Sequence, residues 1–380
     1  MNFKKIIKRY KELNCPDYVF NPCKLPYDRD KYFVICTERS VGKTTNVLLF
    51  GMCANDIDGT ELVYIRSNDP MIERRNLLTL FSTIKEFDYI RKITHDHYTD
   101  VVYQSKRWYY CNYDENGDLA DRAPEPFMTC VSIQSQELYK STLNLPKGNI
   151  LIFDEFISKR YPQDEFIDFC QLTRTIIRSR PDPIIFMLAN TIDRNNQYFY
   201  ELEINDIVSS MPLGANAEAV TSGGTCIYVD FFAPEITPQK NLFNSLFYGF
   251  KNKKLGSVTG KDWSLNPMPH PNRDDTRYIY AKNYYVKWED KLIQLEVCRS
   301  DTDGLHLICH YSTTPPKKDA IIYSLGLMQD WRYHYKFGHT KADSLIWTLY
   351  ERKKAFFSDN SVGAVMEKYY QSARDYRRLF

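Results

Sequence analysis

"TERSVGKTTN", residues 37–46, ends in the Gly-Lys-Thr of a phosphate-binding loop but opens on Thr37, where such loops carry a glycine. Three residues of motif are weak by themselves, so the flanks decide the reading. Residues 31–36, "KYFVIC", form a short β-prone run, and "TTNVLLFGMC" from Thr44 has apolar residues at helical spacing. The loop is therefore expected between a strand and a helix. In that placement the backbone N–H groups of Arg39 to Thr44 face phosphates at a helix N-terminus, Lys43 reaches the β and γ phosphates of ATP, and the Thr44 hydroxyl binds Mg²⁺. The expected nucleotide-binding set is Thr37, Glu38, Arg39, Ser40, Val41, Gly42, Lys43, Thr44 and Thr45. Thr37 reads as a tolerated variant that keeps the backbone donors and loses glycine's freedom at the loop entry.

Further along, "NILIFDEF" (149–156) runs four apolar residues, Ile150 to Phe153, straight into Asp154 and Glu155. A continuous apolar run suits a central parallel strand covered on both faces. Carboxylates at its C-terminal end project into the crevice where ligands bind in open α/β sheets. Neighbouring side chains on a strand point opposite ways, which gives the two acids different tasks. Asp154 is expected to hold the Mg²⁺ shell and Glu155 to orient or deprotonate the attacking water. A third strand, "PIIFMLANT", ends on Asn190, a polar side chain placed to touch the γ-phosphate or the water. Before it, "RTIIRSRPDP" offers Arg174, Arg178 and Arg180 at helical or near-helical spacing. Such a run is either a solvated helix face or an arginine finger supplied to a neighbouring subunit.

The chain of 380 residues predicts two or three domains, and 43% hydrophobic with 26% charged residues predicts a soluble globular protein. A net charge of +2 argues against a protein that coats nucleic acid electrostatically, although residues 271–380 carry 18 Lys+Arg against 14 Asp+Glu. No run is long and apolar enough for a membrane span, and the charged start "MNFKKIIKRYKEL" does not suit a signal peptide, so a cytoplasmic location is expected. Ten cysteines without a C-x-x-C pair, several in apolar runs (Cys36, Cys53, Cys170), read as reduced, buried thiols. "NYDENGD" (112–118) has oxygen ligands and a glycine but Ala123 where a calcium loop needs a bidentate Glu, so its Asn-Gly reads as a hairpin turn. His95 and His97 have no third ligand in sight and are expected on a loop.

The remaining elements follow from pattern: "ELVYIR" (61–66) a strand, 71–90 helical, 100–135 hairpin material, 211–224 a small-residue loop, and "TCIYVDFF" the last strand of the first domain. "PQKNLFNSLFYGFKNKKLG" reads as a helix and "NPMPHPNRDDT" (266–276) as a domain break. "RYIYAKNYYVKWEDKLIQLEV" and "LHLICHYS" then alternate like paired strands before helices from Lys341 onward.

In this order, "FNPCKLPYDR", "TERSVGKTT", "ELVYIR", "NILIFDEF", "RTIIRSR" and "LANT" resemble the DNA-packaging ATPase of the small protein-primed podoviruses over residues 18–200. The resemblance implies an α/β fold: an additional-strand (ASCE) P-loop ATPase domain over 1–235, a helical linker over 236–270, and a smaller α+β vestigial ribonuclease-H-like domain over 271–380. It implies ATP and Mg²⁺, a homopentameric ring on the capsid portal of the prohead in the host cell cytoplasm, and double-stranded DNA as the translocated partner. Whether a packaging RNA joins motor to portal is left open. Catalytic roles fall on Lys43, Asn190, Glu155 and, in trans, Arg178; metal binding falls on Thr44 and Asp154; Asn21, Pro22 and Tyr27 fall near the adenine. After "YIR" comes "SNDP", with no basic residue, so no DNA-gripping lysine is carried onto that loop. Two alternatives stand beside a translocase: another P-loop enzyme such as a helicase or nuclease-active terminase, and a nucleotide-gated assembly protein with little turnover. Glu155 beside Asp154 favours turnover, since a pure binder needs no base. The C-terminal strands "RYIYAKNYYVKW" contain no acid, and Glu296 alone cannot hold the two metals of a nuclease, so that domain is expected to bind DNA or portal without cutting.

Overall fold

The run that precedes the loop forms strand β1 (Tyr32–Cys36), and the helix Lys43–Asp58 follows the loop directly. The structure, a computed structural model, describes residues 1–29, 31–37, 41–157, 165–178, 180, 183–190, 196–233, 268–270, 279–288, 291–300, 304–318, 320–324, 333–334 and 341–378. The described residues fall into two compact units, one through residue 233 and one from 268. Glu38, Arg39, Ser40 and the expected linker helix lie outside the described residues.

The first unit is built on β1, β2 (Glu61–Arg66), β3 (Asp100–Gln104), β4 (Arg107–Tyr113), β5 (Leu119–Arg122), β6 (Met128–Ser132), β7 (Gly148–Asp154), β8 (Ile184–Ala189), β9 (Asn216–Val220) and β10 (Cys226–Asp230). Their order is β3-β4-β6-β2-β7-β8-β1-β10-β9, with β5 on β4. The six inner strands from β6 to β10 are mutually parallel. Ile150–Phe153 of β7 and Ile184–Ala189 of β8 are buried throughout, as strands covered on both faces require. β8 lies between the phosphate-loop strand β1 and the acid-bearing strand β7, so the unit is an additional-strand P-loop fold. That insertion brings the end of β8 to the site.

The helix Lys43–Asp58 is buried on most of its circumference, from Val47 to Ala54, with the helix Phe3–Lys11 packed beside it. Gly51 lets it close on the sheet: a Cβ there would come within 2.4 Å of Leu62 Cδ2. Two segments depart from the sequence reading. Residues 71–90 do not make one helix; Pro70 and a left-handed Asp88 (φ 53°) break the stretch into a turn at Asp69–Ile72 and short helices at Arg74–Leu77, Ser82–Glu86 and Tyr89–Ile93. The supposed loop 211–224 contains edge strand β9, which the turn Thr221–Thr225 returns onto β10. Its alanines alternate with Asn216, Glu218 and Val220, a pattern too weakly apolar to read as a strand.

The hairpin material holds: the Asp114 carboxylate accepts the Asn116 and Asp118 N–H groups at 2.9 Å each, closing the turn. His95 lies beside Arg9 and Asp56 at the surface. All ten cysteines are free, Cys36 and Cys53 buried and Cys170 only half-buried. No helix among the described residues is long and apolar enough to cross a membrane.

The second unit carries β11 (Ile279–Trp288), β12 (Lys291–Ser300), β13 (Gly304–Tyr311), β14 (Ile322–Tyr323), β15 (Tyr333–His334) and β16 (Ala355–Phe357), ordered β15-β14-β11-β12-β13-β16. β11, β12 and β13 are antiparallel, while β14 runs parallel to β11 and β15 to β14. β16 runs parallel beside β13 at the other edge of the sheet. Tyr284, Val286, Ile293, Leu295 and Val297 pack in one core with Val362, Val365 and Met366 of the helix Asn360–Arg378.

Candidate nucleotide site

The loop turns into its helix through Gly42, whose φ of 73° is the left-handed conformation that glycine adopts without strain. A Cβ at Gly42 would stand 2.8 Å from Asn46 Nδ2 and 3.3 Å from Val19 Cβ, so the space also excludes one. Val41 is tied down by Phe20, whose N–H donates to the Val41 carbonyl at 2.9 Å. Thr37 is fully buried and its N–H donates to the Ala189 carbonyl at 3.1 Å. Its backbone donor is thus spent on joining β1 to β8 at the loop entry.

Asp154 closes β7 and is 6% exposed. Its Oδ1 accepts the Thr44 hydroxyl at 3.1 Å and its Oδ2 the Tyr64 hydroxyl at 2.8 Å. Arg66, at the end of the adjacent strand β2, reaches Asp154 Oδ2 at 3.6 Å and Glu155 Oε2 at 2.6 Å. Burial works against the Arg66 cation, but Tyr64, Asp154 and Glu155 outweigh it and raise its pKa. Glu155 does not continue the strand as the sequence suggested. It takes a left-handed φ of 57°, a sparsely populated conformation for a non-glycine residue, and its carboxylate shares the Arg66 guanidinium with that of Asp154.

Asn190 joins the two sides. Its carboxamide oxygen accepts from Lys43 Nζ, and its Nδ2 lies 3.5 Å from Glu155 Oε1. Lys43, Thr44, Asp154, Glu155 and Asn190 therefore converge, although the chain separates the first from the last by 147 residues.

The other expected residues make contacts of their own. The Tyr27 ring is stacked between Phe3 and Phe50, with centroids 4.7 and 5.0 Å away, so neither face is open to a base. Its hydroxyl donates to the Pro22 carbonyl at 2.8 Å, and Asn21 caps the turn Pro22–Lys24 by accepting the Cys23 N–H. These residues shape the segment before β1 rather than present a stacking surface. Arg178 follows the helix Glu165–Ile177 and donates to the Leu143 carbonyl at 3.2 Å, just ahead of β7. The acids stand at the other end of β7, about 20 Å away for a strand of this length. Arg180 is bound to the Leu145 and Ile176 carbonyls, and Arg174 is exposed.

Sequence reasoning missed Arg66 and Tyr64. The signal was an apolar run ending on a charge, "ELVYIR", the same pattern that marked β7. It acquires meaning only once β2 is known to neighbour β7.

No family model and no curated protein matches the sequence. Among solved structures, the chain resembles the Phi-28 gp11 DNA packaging motor with a TM-score of 0.54 and 19% identity, covering 94% of this chain and 98% of that one. It also resembles the bacteriophage Phi-29 viral genome packaging motor assembly, with a TM-score of 0.53 and 16% identity, covering 94% and 100%. At these identities the likeness is one of fold.

Proposed function

We propose that this chain is an ATP-driven motor that translocates double-stranded DNA into a viral prohead. The observation that carries the reading is the convergence of Lys43, Thr44, Asp154, Glu155 and Asn190 at the C-terminal ends of β7 and β8. The fold likeness to packaging motors along nearly the whole chain supports the choice of task.

Thr44 Oγ1 and the Asp154 carboxylate are hard oxygen donors at one point, the set that suits Mg²⁺, and a bound Mg²⁺ would neutralise charge on the phosphates. Lys43 holds the terminal phosphates as a point charge. Glu155 accepts the proton of the attacking water once its carboxylate leaves Arg66, and Asn190 bridges that carboxylate to the phosphate-holding lysine. Arg178 stands at the far end of β7 from its own site, and so acts in a neighbouring subunit of a ring, which the resemblance makes a pentamer. The capsid portal is the ring's mount, and a packaging RNA is compatible with it.

The second unit binds DNA or portal and does not cut. Asn283 stands in the middle of β11, directly opposite Glu296. Glu296 alternates with buried Ile293, Leu295 and Val297, accepts from Gln294 at 2.9 Å and lies 3.3 Å from His310 Nε2. One carboxylate, turned away from the helices and so engaged, is no two-metal site. Phosphate release from ATP by the full chain tests the enzymatic reading: the wild type should hydrolyse ATP with Mg²⁺ and Lys43→Ala should not, whereas equal rates would refute it.

A further inference from the structure

The helix Phe3–Lys11 lies outside the strand–loop–helix motif, yet it reaches the phosphate loop through a buried chain of side chains. Arg9 fixes the helix in place, donating to Asp56 at 3.0 Å and to the Lys92 and Ile93 carbonyls at 2.5 and 3.2 Å. The next residue, Tyr10, is 3% exposed and donates its hydroxyl to Asn46 Oδ1 at 2.5 Å. Asn46, also 3% exposed, donates Nδ2 to the Gly42 carbonyl at 2.8 Å, and its backbone N–H reaches the same oxygen at 2.9 Å.

The chemistry allows one orientation of this chain. Burial raises the Tyr10 pKa, so the phenol stays protonated and donates. Asn46 must then present its oxygen to Tyr10 and its NH₂ to Gly42. The peptide joining Gly42 to Lys43 is planar and trans, so its carbonyl and its N–H point opposite ways. Two bonds that draw the Gly42 carbonyl back into the helix therefore aim the Lys43 N–H outward, toward the place of the phosphates.

We propose that Tyr10 is a positioning residue of the phosphate loop, acting through Asn46 on the Gly42–Lys43 peptide. This rests on the ATP-site reading above. The test compares ATP, ADP and adenosine binding, and steady-state ATP hydrolysis, for the full chain and Tyr10→Phe. ATP and ADP affinity should fall about fivefold, the usual effect of one lost hydrogen bond, and KM for ATP should rise with little change in kcat. Adenosine affinity should not move, a result that general loosening of the fold would not give. Asn46→Ala should reproduce the effect, and the double variant should lose no more than either alone; should Tyr10→Phe fail to fold, Asn46→Ala carries the same comparison. Unchanged ATP affinity in a folded variant, or an equal loss for adenosine, overturns the proposal. A wild-type chain that binds no ATP overturns the site reading and this inference with it.

Discussion

Arg66 and Glu155 stand at the ends of neighbouring parallel strands and meet at 2.6 Å, the arginine side chain 13% exposed and the carboxylate 50%. The cation is anchored in the protein by Tyr64 and Asp154, whereas the carboxylate opens to solvent. Glu155 is therefore the mobile partner, held off the water it is to activate.

Glu155→Gln keeps the shape of that side chain and removes its charge and its basicity. It should bind ATP with Mg²⁺ nearly as the wild type does and lose turnover by about 10²–10⁴-fold. Nucleotide titration and single-turnover hydrolysis separate the two effects. Near wild-type hydrolysis would remove Glu155 from the role of base.

Arg178 lies at the opposite end of β7 from the site of its own chain, so its loss should be felt next door. Arg178→Ala and Glu155→Gln chains, each inactive alone, should recover some hydrolysis when mixed, because interfaces pairing an intact finger with an intact base survive. Light scattering confirms ring formation in the mixture; rings without recovery at any ratio would place Arg178 in cis.

Glu165 opens the helix that ends beside Arg178, and burial, with repulsion from Asp168, pushes its pKa up to about 7 against the lowering pull of hydrogen bonds from Ser67 and Tyr198. Its folded-state pKa is raised, so the fold binds an extra proton between the ordinary Glu range and about pH 7. Stability is full below that window and falls as pH rises through it, by on the order of 3 kcal/mol. Glu165→Gln, which is neutral throughout, should unfold in urea with a midpoint that changes less between pH 5 and pH 8 than that of the wild type. An unchanged pH slope would contradict the assignment.

Much of this was legible in the chain. "KYFVIC", "NILIFDEF" and "PIIFMLANT" announce buried parallel strands because an uninterrupted apolar run has no exposed face to signal. Lys43 and Thr44 were found through the Gly-Lys-Thr motif, and Asp154, Glu155 and Asn190 because each sits where such a run ends. Glu155's left-handed turn was not legible, since it is imposed by tertiary packing on a residue type that gives no hint of it. Tyr27 was placed near the adenine by resemblance alone, and its packing against Phe3, 24 positions earlier in the chain, left no signal in the sequence. Tyr10 and Asn46 looked like ordinary helix residues, because a hydrogen bond between two helices leaves no trace in either one's periodicity.

Asn283 stands in the middle of β11, the first strand of the second unit, paired with Glu296 of β12. Supercoiled plasmid incubated with the full chain and Mn²⁺ should stay intact, while the chain should retain nucleic acid in a way that salt weakens. Metal-dependent nicking abolished by Glu296→Ala would instead make this a cutting enzyme.

Hydrolysis at this site is expected to move DNA. Proheads, double-stranded DNA, the full chain and ATP should yield DNA protected from added nuclease, in an amount that rises with phosphate released. Lys43→Ala in the same mixture should yield neither. DNA protected without ATP hydrolysis, or hydrolysis at the wild-type rate with no DNA protected in proheads competent for packaging, would contradict it.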